Sequence, residues 1–311
     1  MRLGANHQIS EAAALRLKPL LDAFAARAPY LERIGFDPVE FPHRFHHPRD
    51  IEVSGLLAAS LAYGRADLFR PKLESLFARI GASPASFVAE FDPRRARQLL
   101  GNFVYRFNVG TDLAVLLLGM GRALREQGSL EAVFVDQLQR HGNLRDALGA
   151  FTAWLRQVPM GALRRQLGPE RGLAHLLPSP LGPGAAKRLN LFLRWMVRGP
   201  DLVDFGIWSR VPKSLLVIPL DTHIGRIARH LRLTRRKDMS WKTAEDITAA
   251  LRRIDPWDPV RYDFALCHYG MSGGCPLTPR AESCGRCPLL LACHTGRRVS
   301  RSAALPQALS A

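Results

Sequence analysis

No cysteine precedes Cys267 in this chain of 311 residues, and all five lie between Cys267 and Cys293. Core cysteines scattered through a fold, or a disulfide framework spanning it, would not leave that pattern. A tight cluster of reduced thiols reads instead as metal or cluster ligation. Acidic residues are also scarce: 27 Asp and Glu face 44 Lys and Arg, for a formal net charge of +17. Such a balance favours a polyanionic partner, nucleic acid first, although basic composition alone also fits a protein with no such partner. Long apolar runs are missing. The longest, Ser54 to Gly64 and Asp112 to Gly121, fall well short of the roughly 20 residues that span a bilayer. The opening residues are amphipathic and carry scattered charges, without the continuous apolar stretch of an export signal. The expectation is a soluble cytoplasmic, nucleoid-associated monomer with no membrane partner.

Strict strand-like alternation is rare as well, whereas apolar residues recur at helical spacing in series such as Leu17, Leu20, Leu21, Phe24 and Phe69, Leu73, Leu76, Phe77, Ile80. The fold class predicted is all-α, with roughly a dozen helices. Breaks fall at Ala28 to Asp50, Gly81 to Pro84, Asn108 to Thr111, Leu177 to Gly184, Gly199 to Pro219 and Arg235 to Met239. Ser240 reads as the cap of the helix that follows, and Asp258-Pro259 as the start of a helix over Val260 to Met271. These breaks suggest an N-terminal helix and basic, aromatic loop over 1–50, a helical lobe over 51–180, a second lobe over 181–272, a cysteine loop over 273–296 and an unfolded tail over 297–311.

Cys275, Cys284, Cys287 and Cys293 form C-x8-C-x2-C-x5-C. Four soft ligands suit tetrahedral zinc or an iron-sulfur cube. Zinc modules usually pair two C-x2-C knuckles across a longer gap, so the single asymmetric knuckle here favours a four-iron, four-sulfur cluster, with zinc as the alternative. Cys267 lies on a predicted helix and reads as a packed core thiol.

The segment RYDFALCHYGMSGGCPLTPRAESCGRCPLLLAC resembles the end of endonuclease III and the adenine glycosylases, in the helix-hairpin-helix DNA glycosylase superfamily. There a helix runs into a four-cysteine cluster loop. The gap between the first two cysteines is longer here. The resemblance implies a two-lobed, all-α glycosylase-like fold with a C-terminal iron-sulfur loop, and as a whole the chain resembles a bacterial family of unknown function within that superfamily.

Upstream, Val217-Ile218-Pro219-Leu220-Asp221-Thr222-His223 leads into IGRIARHLRL and resembles the superfamily element that carries the catalytic aspartate, with His223 and Arg226 at its polar positions. By itself Asp221 reads as a helix cap. The resemblance adds a carboxylate that stabilises charge as the bond between base and sugar breaks.

Before it, Gly182-Pro183-Gly184 precedes Lys187 and the basic helix carrying Arg188 and Arg194, which loosely resembles the hairpin that grips phosphate. Lys187 falls one position late against endonuclease III, and its distance from Asp221 is longer, as in the archaeal oxidised-guanine glycosylases. The resemblance would make Lys187 an amine nucleophile, with Arg188 and Arg194 lowering its proton affinity, and would bring abasic-site lyase chemistry. A lysine contacting phosphate is the other reading, and the residues leave both open.

In the front lobe, Tyr63, Gly64 and Arg65 end a helix where superfamily members place a turn that enters the duplex beside the extruded base. A glycine cap with Tyr63 packed on the core is the plainer reading. His43, His46 and His47 match no metal spacing. The resulting expectation is a base-excision glycosylase acting on a damaged base, an oxidised purine by analogy, in double-stranded DNA. The alternative is a non-catalytic iron-sulfur protein that binds damaged or structured nucleic acid. Nothing in the sequence separates DNA from RNA.

Overall fold

The computed structural model describes residues 9–304, and nearly all regular structure among them is helical. No helix of the described residues is long and apolar enough to cross a membrane. The chain divides into two compact units. One comprises residues 34–182 and 191–211; the other comprises residues up to 33, 183–190 and from 212 onward, so the helix Lys187–Val197 is shared between them after Asn190.

The larger unit is organised around two buried helices. Every residue from Ile51 to Leu61 of the helix Pro48–Leu61 is buried, as is Gly110 to Gly121 of the helix Gly110–Gln127. A helix apolar on all sides belongs in a core rather than on its rim. Gly119 lets the helix Leu144–Arg156 approach closely: a Cβ there would lie 2.2 Å from the Leu155 carbonyl oxygen. Trp208 anchors the aromatic centre, 5.6 Å from Phe134 and 5.2 Å from Phe192 between ring centroids. Burying each such side chain contributes about 1.5–3 kcal/mol.

Glu52, almost wholly inaccessible, is the polar feature of this core. It accepts from the Leu130 and Glu131 backbone N–H groups at 3.0 and 3.3 Å and from Trp208 Nε1 at 3.1 Å. It thereby satisfies two of the exposed donors at the start of the helix Leu130–His141 from across the fold. The only strands among the described residues form a short hairpin, Val104–Tyr105 against Asn108–Val109, whose two turn residues are Arg106 and Phe107.

In the other unit the helix Glu11–Ala26 packs on Trp241–Ile254, and Thr222–His230 packs on Asp263–Met271. Ser240 caps its helix as expected, accepting from the Thr243 N–H. Asp258, in contrast, starts no helix: regular structure begins only at Asp263. Asp255 captures the Trp257 and Asp258 N–H groups at 3.1 and 3.0 Å and the Arg261 guanidinium at 2.9 Å, which holds 255–262 in turns. Arg261 is thus tied to a carboxylate. The tail differs too. His294–Ala304 is a helix that starts directly after the last cysteine, with Arg297 N–H on the Cys293 carbonyl at 3.1 Å. The rest of the segment read as unfolded, 305–311, lies outside the described residues.

Candidate functional site

A buried extended segment, Leu216 to Leu220, delivers Asp221 to its place. The Ile218 N–H is held at 3.0 Å by Thr248 Oγ1, so the segment leans on the helix Trp241–Ile254 although it belongs to no sheet. Asp221 is the N-cap of the helix Thr222–His230, its Oδ1 accepting from the Ile224 N–H at 2.8 Å. The cap reading therefore holds. It uses one oxygen only.

The other oxygen faces Lys187. Although 34 positions separate them, Lys187 Nζ lies 3.1 Å from Asp221 Oδ2 within the same unit. Lys187 opens its helix directly after Ala186, which is left-handed at φ 47°. A non-glycine residue in that region costs about 1–2 kcal/mol, and the turn carries it at Ala186 while neither Gly182 nor Gly184 is left-handed. The Asp221 side chain is 12 % exposed and that of Lys187 38 %. Burial alone would push the Asp221 carboxyl up; the charge of Lys187, the Ile224 N–H, the Lys187 hydrogen bond and the Cys267 thiol together hold it below the ordinary carboxylate range. Asp221 is ionised at neutral pH.

His223 and Arg226 follow on the same helix. Arg226 is buried and ties this helix to its neighbour, donating from Nη2 to His223 Nδ1 at 3.1 Å and to the Gly270 carbonyl at 3.3 Å. It does not present a free cation to phosphate. His223 is half-buried. The two helices touch at Gly270, where a Cβ would lie 2.8 Å from His223 Cβ. Glycine is needed there for the close approach.

The other residues expected to contact nucleic acid separate into exposed and buried sets. Gly184 is exposed and Gly182 half-buried, whereas Arg188 is buried. Arg194 belongs to the larger unit and is ion-paired at 3.2 Å with Asp204, their side chains 3 % and 1 % exposed. Asp204 also takes Arg198 at 2.7 Å. Arg194 thus serves a buried network rather than a binding face, because a cation withdrawn from water needs a local countercharge. The residue set beside Lys187 is the Asp221 carboxylate.

In the larger unit Tyr63, Gly64 and Arg65 follow the end of the helix Pro48–Leu61. Arg65 and Gly64 are exposed, with Arg65 paired to Asp67 at 2.8 Å. Tyr63 is half-buried, and its hydroxyl bonds the hairpin, to the Tyr105 carbonyl at 2.9 Å and Asn108 Oδ1 at 2.6 Å. His175 meets the Tyr63 ring edge-on at 4.3 Å. The hairpin that orders Tyr63 was not legible in the sequence, because two-residue strands leave no alternation to read.

Cys275, Cys284, Cys287 and Cys293 line one hollow of about 30 Å³, together with His230. Cys293 Sγ accepts the Gly296 N–H at 3.1 Å, and His230 Nδ1 lies 3.4 Å from Cys275 Sγ. Burial, then the charges of Arg226 and Arg229, hold His230 below its usual value. Among the described residues no group of three or more His, Cys, Asp and Glu side chains has the spacing to hold a single metal ion. The four cysteines nonetheless line one cavity, and four thiols are the kind of donor set that zinc or an iron-sulfur cluster uses.

Cys267 was missed. Its thiol points at Asp221 Oδ2, 3.3 Å away, where a packed core thiol was expected. Only its i, i+3 relation to Gly270 hinted at this, and nothing in the sequence says which residue faces that side.

Comparison with curated proteins gives no match. The profile of a protein family described as of unknown function, DUF2400, matches residues 37–272, a span that includes Lys187, Asp221 and Cys267 and ends before Cys275. Because that span covers well over half its length, this chain belongs to the DUF2400 family.

Proposed function

We propose that this protein is a DNA base-excision glycosylase with a helix-hairpin-helix glycosylase-like fold, using Lys187 and Asp221 on a damaged base in duplex DNA. The observation that carries this reading is the 3.1 Å approach of an ammonium and an ionised carboxylate that are 34 residues apart. An ion pair brought together over that distance, its carboxylate mostly buried and its amine partly open to solvent, suits glycosidic cleavage by a lysine and an aspartate. The carboxylate stays charged and stabilises the positive charge that develops on the sugar, while the amine, once water has taken its proton, attacks the same carbon and the base departs with the bonding electron pair and is protonated by water. Loss of the base and ring opening leave a Schiff base at Lys187, and β-elimination from it incises the strand. The net charge of +17 supplies the non-specific attraction to phosphate, with exposed Arg65 and the glycine turn at 182–184 as contacts.

The four cysteines would hold a four-iron, four-sulfur cluster, which organises the loop between the helices Asp263–Met271 and His294–Ala304 rather than reacting. Protein purified without oxygen is expected to carry about four irons and to absorb broadly near 400 nm. Cys284→Ser should lose that band and lower the melting temperature. One zinc per chain and no visible absorbance would replace the cluster with the alternative ion.

The test of function is incubation with a panel of duplexes, each carrying one damaged base, followed by borohydride. A covalent adduct on one duplex, an oxidised purine first, establishes a lysine-using glycosylase and names its base. Tight binding with no adduct and no base release from any duplex would favour the non-catalytic binding protein, and tighter binding of RNA at equal salt dependence would redirect the reading to RNA.

A further inference from the structure

Asp221 Oδ2 is approached from two sides. Lys187 Nζ is 3.1 Å away on one, and on the other Cys267 Sγ is 3.3 Å away, with the Met271 sulfur a further 3.8 Å from that thiol. Oδ1 is committed to the Ile224 N–H. A thiol beside an ionised carboxylate can serve only as the donor of that contact. The placement follows from helix register. Cys267, Gly270 and Met271 fall on one face of Asp263–Met271, and docking Gly270 on His223 turns Cys267 toward the residue that precedes Thr222. Arg226 fixes that register through the Gly270 carbonyl.

We propose that Cys267 is a positioning residue, whose S–H donates to Asp221 Oδ2 and keeps that oxygen directed at Lys187 while Oδ1 caps the helix. Without the thiol, Oδ2 loses one of its two donors, and because the terminal torsion is broad the whole planar carboxylate can swing within the range that its hydrogen bond to the Ile224 N–H tolerates. The role rests on the reading of Lys187 and Asp221 as the reacting pair, but the contact itself can be tested without that reading.

The first measurement uses a duplex with a single abasic site, whose aldehyde reports on the Lys187 amine directly. Wild type, Cys267→Ser and Cys267→Ala are trapped with borohydride under single turnover. The alanine variant is expected to form adduct about tenfold more slowly at unchanged duplex affinity, the loss of one modest hydrogen bond, and the serine variant to stay within about threefold of wild type. Equal rates in all three, or equal losses in serine and alanine, would overturn the proposal, because the second result would report packing rather than donation. If wild type forms no adduct, it is the reading of Lys187 as the reacting amine that fails, and a second measurement decides on Cys267. Alkylation by iodoacetamide, mapped to the Cys267 peptide, is compared in wild type and Asp221→Asn. A thiol held by a carboxylate is protected, so the asparagine variant should react several-fold faster; an unchanged rate sinks the inference.

Discussion

Asp221→Asn is expected to slow base release by about 10²–10⁴-fold while leaving duplex affinity and melting temperature close to wild type. The substitution separates the two jobs of this residue. Asparagine is as good an N-cap as aspartate, so the Ile224 N–H keeps its acceptor and the helix Thr222–His230 keeps its start. What disappears is the charge facing Lys187, and with it the charge that the proposed reaction would set against the sugar. Asp221→Ala would remove both and cost about 1 kcal/mol of stability in addition. Lys187→Gln should abolish borohydride trapping altogether. The measurement is a single-turnover rate on the duplex identified by the panel, with retained turnover in the asparagine variant fatal to the assignment. The folded carboxyl of Asp221 is held low, so its contribution to stability is present above the ordinary carboxylate value of about 4 and is lost as the pH falls through its depressed value.

Glu52 behaves in the opposite sense, and its effect on stability is the largest expected from a single side chain here. Burial pushes its carboxyl up to about 7, against the pull of the Leu130 N–H, Trp208 and the Glu131 N–H. A folded value above the unfolded one means that the folded state binds the extra proton. Its stabilisation is complete below the unfolded value of about 4.5 and disappears as the pH rises through about 7. Between about pH 5 and about pH 8 the larger unit should lose roughly 2–3 kcal/mol through this one group, since each tenfold difference in proton affinity between folded and unfolded chains is worth about 1.4 kcal/mol. Denaturant titrations across that range should show the decline in wild type and a flat profile in Glu52→Gln, which has no proton to lose. Parallel profiles would show that Glu52 does not titrate in the window. Glu52→Ala is expected to be severe, about 3–6 kcal/mol, because three N–H donors lose their acceptor in a dry core.

How far the sequence was readable follows from the range of each interaction. Helices and their caps are local, and Ser240 is where its side chain said it would be. The start at Asp258-Pro259 was misplaced because Arg261 and Asp255 pair six residues apart and override a two-residue signal. The first part of the tail, 297–304, was read as unfolded from its Ser, Ala and Arg content, although it continues a helix that begins at His294. Arg194 and Arg226 illustrate the same limit: a guanidinium on a basic helix looks like a phosphate contact until the fold supplies Asp204 or the Gly270 carbonyl as its partner.

The sequence by itself determined that this chain is mostly helical, that no helix among the described residues is long and apolar enough to cross a membrane, and that Asp221 caps a helix, because residue spacing and neighbouring side chains decide all three. It also grouped four cysteines within a stretch short enough to close on one hollow. Only the tertiary structure decided that Lys187 meets Asp221, that Cys267 faces the same oxygen, and that Glu52 caps a helix that begins 78 residues later. Those pairings depend on which helix faces turn toward each other, and that is set by packing at contacts such as Gly270 on His223, which no local pattern encodes.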